Sequence, residues 1–278
     1  MMRDRVRLPQ NAMEITRDLL DEICDIAVAA GQKTLPIYHS DFDVQTKDDD
    51  SPLTQADLAA HRSIKAALER LTPDTPQLSE EGASIAFDTR SQWPEYWLID
   101  PLDGTREFVK KNDQFTINIA LIRDHEPVLG AVYAPVLDTV WFAGRGLGAF
   151  RQIGDAAPQA IRVVPANAAR PRVLVSRSHR SPEIDELLAR MPDYEPVTMG
   201  SSLKFCVIAE GAADFYPRLG PTSEWDTAAG HAVLAAAGGR VTDTQGETLR
   251  YNVTDSLLNE WFIAFGDTEH DWLGYVPD

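Results

Sequence analysis

The chain has little cysteine, little basic charge and no long apolar run. Two cysteines in 278 residues, Cys24 and Cys206, are too few for a disulfide framework. Both sit among apolar residues at helical spacing, Ile23, Ile26 and Ala27 around one and Leu203, Val207 and Ile208 around the other, so buried thiols are expected. Lys and Arg number 26 against 43 Asp and Glu, and the net charge of -17 repels nucleic-acid polymers and anionic membrane surfaces. A small anionic ligand would need a metal ion or a local basic pocket. The N-terminal stretch "MMRDRVRLPQNAMEITRDLLDEI" is interrupted throughout by charge, which argues against a signal peptide or a membrane span and makes the cytoplasm the expected compartment.

What is present is 44% hydrophobic content, enough for one large domain or two ordinary ones. From Thr16 to Ala30 apolar residues follow helical spacing, with Gly31 placed to end that helix. A charged loop at Asp48–Asp50 leads to a second helix from about Thr54, and "QLSEEG" reads as a short strand ending in two glutamates. "EYWLID" is a buried strand, and "FTINIALIRDHEPVLGAVYAPVLDTVWFAGRGLGAF" is an antiparallel meander in which "GRGLG" makes a hairpin turn. It lacks the G-x-G-x-x-G spacing of a dinucleotide loop. Beyond about Arg151 short strands alternate with helices, ending in an Ala-rich helix stopped by Gly238 and Gly239 and a late strand "EWFIAFG". His231 on that helix reads as a core histidine. The expected halves are residues 1–155, α+β, and 156–278, α/β, with a soft boundary between about 150 and 165.

Acidic residues recur beside apolar segments at Asp57, at Glu80 with Glu81, at Asp100 with Asp103, and at Asp226. Hard cations such as Mg²⁺ take oxygen ligands, a few from protein and the rest from water and phosphate. In "DPLDGT", Pro101 restrains a turn that lets Asp100 and Asp103 converge with the Leu102 carbonyl between them. Gly104 permits close approach, so the amides of Gly104, Thr105 and Arg106 can face a phosphate at a helix N-terminus. Taken singly each has an ordinary reading: a proline turn, a solvated cap at Glu80 and Glu81, an N-cap at Asp226, an exposed helix charge at Asp57. Their joint occurrence favours a metal site.

"SPLTQAD", "LSEEG", "WLIDPLDGTREF" and "GPTSEWDTAAG" occur in an order and spacing that resembles the Mg²⁺-dependent, lithium-sensitive phosphatases related to inositol monophosphatase, from about residue 15 to 265. "DPLDGTREF", "GSSLKFC" and "YPRLGPTSEWDTAAGHAVL" look most like the 3'(2'),5'-bisphosphate nucleotidase branch, since inositol monophosphatases more usually carry Asn where Glu107 stands. The resemblance implies an alternating αβαβα sandwich, α/β in class, with an antiparallel sheet in the N-terminal half and a mixed sheet in the C-terminal half. It implies that Glu80, Asp100, Asp103 and Asp226, with the Leu102 main-chain oxygen, hold two or three Mg²⁺ ions. Asp57 and Thr105 would orient the attacking water, and the Gly104 and Thr105 amides would hold the scissile phosphate. His179, Ser201, Lys204 and Arg218 would face the nucleoside or a second phosphate. The implied reaction is removal of the 3'-phosphate from adenosine 3',5'-bisphosphate or its sulfated relative, and the resemblance allows a homodimer. An inositol or sugar phosphatase and a non-catalytic metal- or nucleotide-binding regulator are the alternatives.

Overall fold

Thr16, in an extended conformation, accepts a hydrogen bond from the Leu19 N–H and opens helix α1 (Arg17–Tyr38). The helix does not stop at Gly31. A Cβ there would lie 2.6 Å from the Tyr133 ring and 2.8 Å from Pro135, so this glycine serves close packing of the helix on a sheet and not a helix end. The structure, a computed structural model, describes residues 12–42, 44–46, 52–82, 84–175 and 181–277. The charged run Asp48–Asp50 and His179 lie outside the described residues.

A small antiparallel ribbon of β1 (Gln45–Thr46) and β2 (Pro52–Leu53) precedes α2 (Gln55–Leu71), which starts at Thr54 as expected. Then come β3 (Gln77–Ser79), α3 (Phe87–Arg90), β4 (Glu95–Asp103), the short α4 (Thr105–Val109), and the meander β5 (Thr116–Arg123), β6 (Glu126–Ala134), β7 (Thr139–Gly144), β8 (Gly148–Ile153) and β9 (Gln159–Ile161). The sheet runs in the order β3-β4-β5-β6-β7-β8-β9. The expected antiparallel pairing holds from β4 to β9, whereas β3 and β4 are parallel, because the chain crosses back through α3 before re-entering beside β3. In the β7–β8 hairpin Gly146 and Gly148 have φ of +83° and +90°, a backbone that favours glycine.

The C-terminal half carries β10 (Arg172–Val175), α5 (Pro182–Arg190), β11 (Glu195–Thr198), α6 (Leu203–Ala209), β12 (Phe215–Arg218), α7 (Glu224–Ala236), β13 (Arg240–Asp243) and β14 (Phe262–Phe265). Its sheet, β11-β10-β12-β14-β13, is parallel on one side of β12 and antiparallel on the other. Three apolar layers result. α1 and α2 cover one face of the larger sheet through Leu20, Ile23, Ile64, Trp97 and Ile119. Between the sheets, Leu98, Ala120 and Val132 meet Phe205, Val233 and Phe262, while Val173, Leu187, Phe215 and Trp272 fill the outer face of the smaller sheet. This is the αβαβα order. Among the described residues no helix is long and apolar enough to cross a membrane, and both cysteines are free and buried.

α7 is the shared middle layer, and two glycines let it sit there. A Cβ on Gly130 of β6 would fall 2.5 Å from the Ala229 carbonyl oxygen, and one on Gly230 would fall 2.6 Å from the Phe205 ring. Gly238 ends the helix with φ of +100°. His231 is the core residue its sequence context suggests: it pairs with the Tyr251 hydroxyl at 3.0 Å, and burial lowers its pKa to about 3. Gly130→Ala is expected to lower folding stability by about 1–3 kcal/mol through overpacking, read as an earlier urea midpoint at an unchanged slope. An unshifted midpoint would mean that α7 does not bear on β6 as described.

Candidate active site

Tyr96 to Ile99 pair with Ile122 to Ile119 of β5, and Asp100 pairs with Asn118. The register then slips, and the next partners are Asp103 and Thr116. The irregularity bunches Pro101 and Leu102, so that both aspartates reach the strand end. Asp100 Oδ1 accepts a hydrogen bond from the Leu102 N–H at 3.0 Å, the side-chain-to-backbone turn that an Asp-Pro pair favours. Gly104 follows with φ of +85° and caps α4; a Cβ there would also press to 3.1 Å from the Gln114 carbonyl oxygen.

The other carboxylates arrive on helix starts and a strand end. Asp57 is the third residue of α2, and its Oδ2 accepts from the Thr54 N–H at 2.8 Å and the Thr54 hydroxyl at 2.6 Å, a capping box. Its exposure is 1%, which rules out the exposed-helix-charge reading. Asp57 Oδ1 lies 3.4 Å from the Thr105 hydroxyl, itself 3.4 Å from the Leu102 carbonyl oxygen. Asp226 occupies the same third position in α7, not the N-cap; Ser223 is the cap, and its N–H donates to Asp226 Oδ2 at 3.0 Å. Glu80 follows β3, its N–H bound to the Ile99 carbonyl at 3.1 Å and its carboxyl near enough to that of Asp100 to raise the Asp100 pKa beyond what burial alone does. Burial raises the Asp57 pKa and lowers that of His61, and the Glu81 charge lies near enough to add to the first shift and oppose the second.

Asp100, Asp103 and Asp226 offer carboxylate oxygens that all lie within 4.8 Å of one another. Burial first, then the charges of Glu80, Asp103 and Asp226, push the Asp100 pKa well above the carboxylate range. Asp226 is raised by burial, Asp103 and Glu80, with Arg218 acting in the opposite sense. Asp57 is raised by burial, against its bonds from Thr54. Asp103 Oδ2 accepts from the Ser201 hydroxyl and the Ser202 N–H, and the Ser202 hydroxyl oxygen lies beside it, each at 2.6 Å. Crowded, basic, all-oxygen donors of this kind fit a hard divalent cation.

Beside the cluster opens a cavity of about 670 Å³. Asp103, Gly104, Thr105 and Asp226 line it together with Ser201, Lys204 and Arg218; of the described residues expected on the substrate side, only Leu102 does not line it, its side chain being buried. Ser201 has φ of +54° and pairs with the Thr116 hydroxyl at 2.6 Å. Lys204 donates to the Ser201 carbonyl at 3.0 Å over the Tyr216 ring, and Arg218 donates to the Thr222 hydroxyl at 2.6 Å and the Pro221 carbonyl at 2.7 Å. Asn118 and Ser202 were not anticipated from the sequence. Asn118 donates to the Ser202 hydroxyl at 2.8 Å, and that oxygen lies 2.6 Å from Asp103 Oδ2 and 2.7 Å from the Asp226 carbonyl, so its one proton serves one of two acceptors. A lone Asn in the apolar run "TINIALI" was the available signal for one, and the place of Ser202 in "GSSLKFC" for the other.

The inositol monophosphatase family profile matches residues 16–270. The chain is 47% identical over 246 residues to the Salmonella typhimurium protein named 3'(2'),5'-bisphosphate nucleotidase CysQ, covering 88% of this chain and 98% of that one. It is 37% identical over 262 residues to the Haemophilus influenzae protein of the same name, covering 94% and 97%. Among solved structures, CysQ from Bacteroides thetaiotaomicron superimposes with a TM-score of 0.79 at 39% identity, over 91% of this chain and 98% of that one. The Thermotoga maritima IMPase gives 0.76 at 26% identity, over 93% and 96%.

A cluster of carboxylates with raised pKa values makes a pH signature. Without divalent cations, Asp100 and Asp226 bind protons more tightly folded than unfolded, so the stability they contribute is full at low pH and is lost as pH rises through their raised values. A cation that binds the ionised cluster restores it. The rise in melting temperature on adding Mg²⁺ is therefore expected to grow between about pH 5 and about pH 8, and Asp100→Asn should flatten that growth. A rise that shrinks toward alkaline pH would exclude a cation at these carboxylates.

Proposed function

The chain belongs to the inositol monophosphatase family, and we propose that it acts there as a Mg²⁺-dependent 3'(2'),5'-bisphosphate nucleotidase, hydrolysing the 3'-phosphate of adenosine 3',5'-bisphosphate to AMP or acting on its sulfated relative. The observation that carries the reading is the convergence of Asp100 and Asp103 from residues 1–155 with Asp226 from residues 156–278, beside the Asp57–Thr105 pair and at one end of a cavity bearing Lys204 and Arg218. The extent and level of identity to proteins named CysQ support the bisphosphate over inositol or sugar phosphates. The free buried thiols accord with a reducing cytoplasm.

Glu80, Asp100, the Leu102 carbonyl, Asp103 and Asp226 would hold two or three Mg²⁺ ions. Bound there, they supply charge neutralisation to the phosphoryl group and acidify water. The chain's own part is positioning. Asp57 is immobilised through Oδ2 by Thr54, so Oδ1 and the Thr105 hydroxyl have fixed directions and can orient one water for in-line attack on phosphorus. The raised Asp57 pKa suits it to take a proton from that water. As the new P–O bond forms, the bond to the ribose 3'-oxygen breaks and that oxygen takes a proton from a second, solvent water, while Asp57 returns the first proton to solvent. The Gly104 and Thr105 amides, at the start of α4, would hold the phosphate oxygens. A binder without turnover would have no use for the Asp57–Thr105 pair, which disfavours a purely regulatory role.

Phosphate release with Mg²⁺ should be fastest on adenosine 3',5'-bisphosphate or its sulfated form, ahead of inositol 1-phosphate and fructose 1,6-bisphosphate. Preference for either of the last two would replace the nucleotidase reading. Asp103→Asn is expected to cost about a hundredfold or more in kcat, since it removes a charge on which the site converges; near-normal turnover would reject the metal assignment.

A further inference from the structure

We propose that Asn118 is a positioning residue for the cation site: through the Ser202 hydroxyl it fixes Asp103 against the start of α7, and so sets how tightly the carboxylates bind a divalent cation. The inference rests on the cation reading of the cluster above. Along β5 the side chains alternate between two faces. Ile117, Ile119 and Leu121 face α1 and α2, whereas Ala120 and Ile122 enter the apolar layer between the sheets. Thr116 and Asn118 share that second face, where an apolar residue at 118 would simply continue it. Asn118 is instead an amide, 1% exposed and directly opposite Asp100 in the strand ladder. Packing does not ask for an amide there, and a buried one is costly unless its donors and acceptor are met.

Its partners lead to the carboxylates. Thr116 Oγ1 donates to Asn118 Oδ1 at 3.1 Å, which turns Nδ2 toward the residues before α6, where it donates to the Ser202 hydroxyl oxygen at 2.8 Å. Ser202 stands where a serine ordinarily caps a helix, yet its hydroxyl accepts from no N–H of α6. That oxygen lies instead 2.6 Å from Asp103 Oδ2 and 2.7 Å from the Asp226 carbonyl oxygen. Because Asn118 supplies the proton for its own bond, the Ser202 proton stays available to those two acceptors, and accepting from the amide makes the hydroxyl a stronger donor.

Ser202 therefore spans the end of β4 and the start of α7, the two elements whose carboxylates must converge. Asp103 Oδ2 is engaged by Ser201 and Ser202, and Asp226 Oδ2 by the Ser223 N–H, so each carboxylate keeps an Oδ1 with no hydrogen bond among the described residues. Oxygens left open in this way suit a hard cation. Asn118 does not line the cavity and bonds to none of the carboxylates, so whatever it does to the cluster passes through Ser202. Groups that hold metal ligands from behind commonly set metal affinity by about ten- to a hundredfold.

The test is Mg²⁺ titrated calorimetrically into the substrate-free full chain, beside the melting temperature of the cation-free protein. Asn118→Leu, close in volume and suited to the apolar layer, should weaken Mg²⁺ binding about tenfold and leave the cation-free melting temperature within about 4 °C. Ser202→Ala should weaken binding to a similar extent, and the double variant no further than either alone, because the amide acts through the hydroxyl. Thr242→Val, which removes an equally buried hydroxyl on β13, should leave Mg²⁺ binding unchanged. Unchanged binding in Asn118→Leu, losses that add in the double variant, or a similar loss in Thr242→Val would overturn the assignment. If the leucine variant does not fold, Asn118→Ala takes its place in the same cycle under the same criteria. Failure of the cation reading looks different: the unsubstituted chain would then take up no Mg²⁺, and Asn118 would have no site to position.

Discussion

Carboxylates crowded in a buried corner repel one another, and Asp100, Asp103 and Asp226 sit within 4.8 Å with Asp100 only 1% exposed. What holds them is a set of short hydrogen bonds, local for all but Asp103. Asp57 and Asp226 each occupy the third position of a helix and close a capping box with the residue three before; Asp100 closes a turn on the Leu102 N–H; Asp103 is bonded across the fold by the Ser201 hydroxyl and the Ser202 N–H. In each case named carboxylate oxygens are committed to the fold, and this fixes how the carboxyl group points. The cap or turn that would make any of these residues structurally ordinary is the device that aims it, so the structural and functional readings of these residues are one arrangement.

The corner exists because two halves of the chain press together there. α7 reaches it from between the sheets, which requires the Ala-rich surface of the helix and glycines at Gly130 and Gly230 where a Cβ would collide. Ser202 ties the closest approach, with Asp103 Oδ2 on one side and the Asp226 carbonyl on the other. Close packing therefore sets the carboxylate spacing, and a shift of α7 along β6 would carry Asp226 away from Asp100 and Asp103.

Much of this was legible in the sequence because its causes are local. Thr54 and Asp57 declare a capping box three residues apart, "DPLDGT" declares a turn, and the period-two and period-3.6 patterns locate the meander and the later helices. The misreading was about tertiary contact. Gly31 looked like a helix stop, but its reason is the Tyr133 ring on a distant strand; at Asp57 nothing local says what covers α2's first turn, and only its company with the other carboxylates pointed inward. Ser202 and Asn118 gained their places only when strands and helices far apart in sequence met beside the cavity.

A buried lock sets the start of α7 itself. Glu224, its first residue, accepts from the Asn252 N–H with both carboxylate oxygens, at 2.8 and 2.9 Å, and Asn252 adopts φ of +56° to present that N–H. The Asn252 side chain binds Arg90 in both directions: the Arg90 guanidinium donates to Oδ1, and Nδ2 donates to the Arg90 carbonyl. Arg90 is 1% exposed and also donates to the carbonyls of Thr254 and Asp255. Burial raises the Glu224 pKa to about 7, against the pull of Arg90 and the Asn252 N–H. Removing one partner of such a network leaves a buried polar group unpaired, so its members stand or fall together. Because Arg90 belongs to the first half and Asn252 to the second, the lock fixes the N-terminus of α7 relative to both sheets, and Asp226, two residues along, inherits that position.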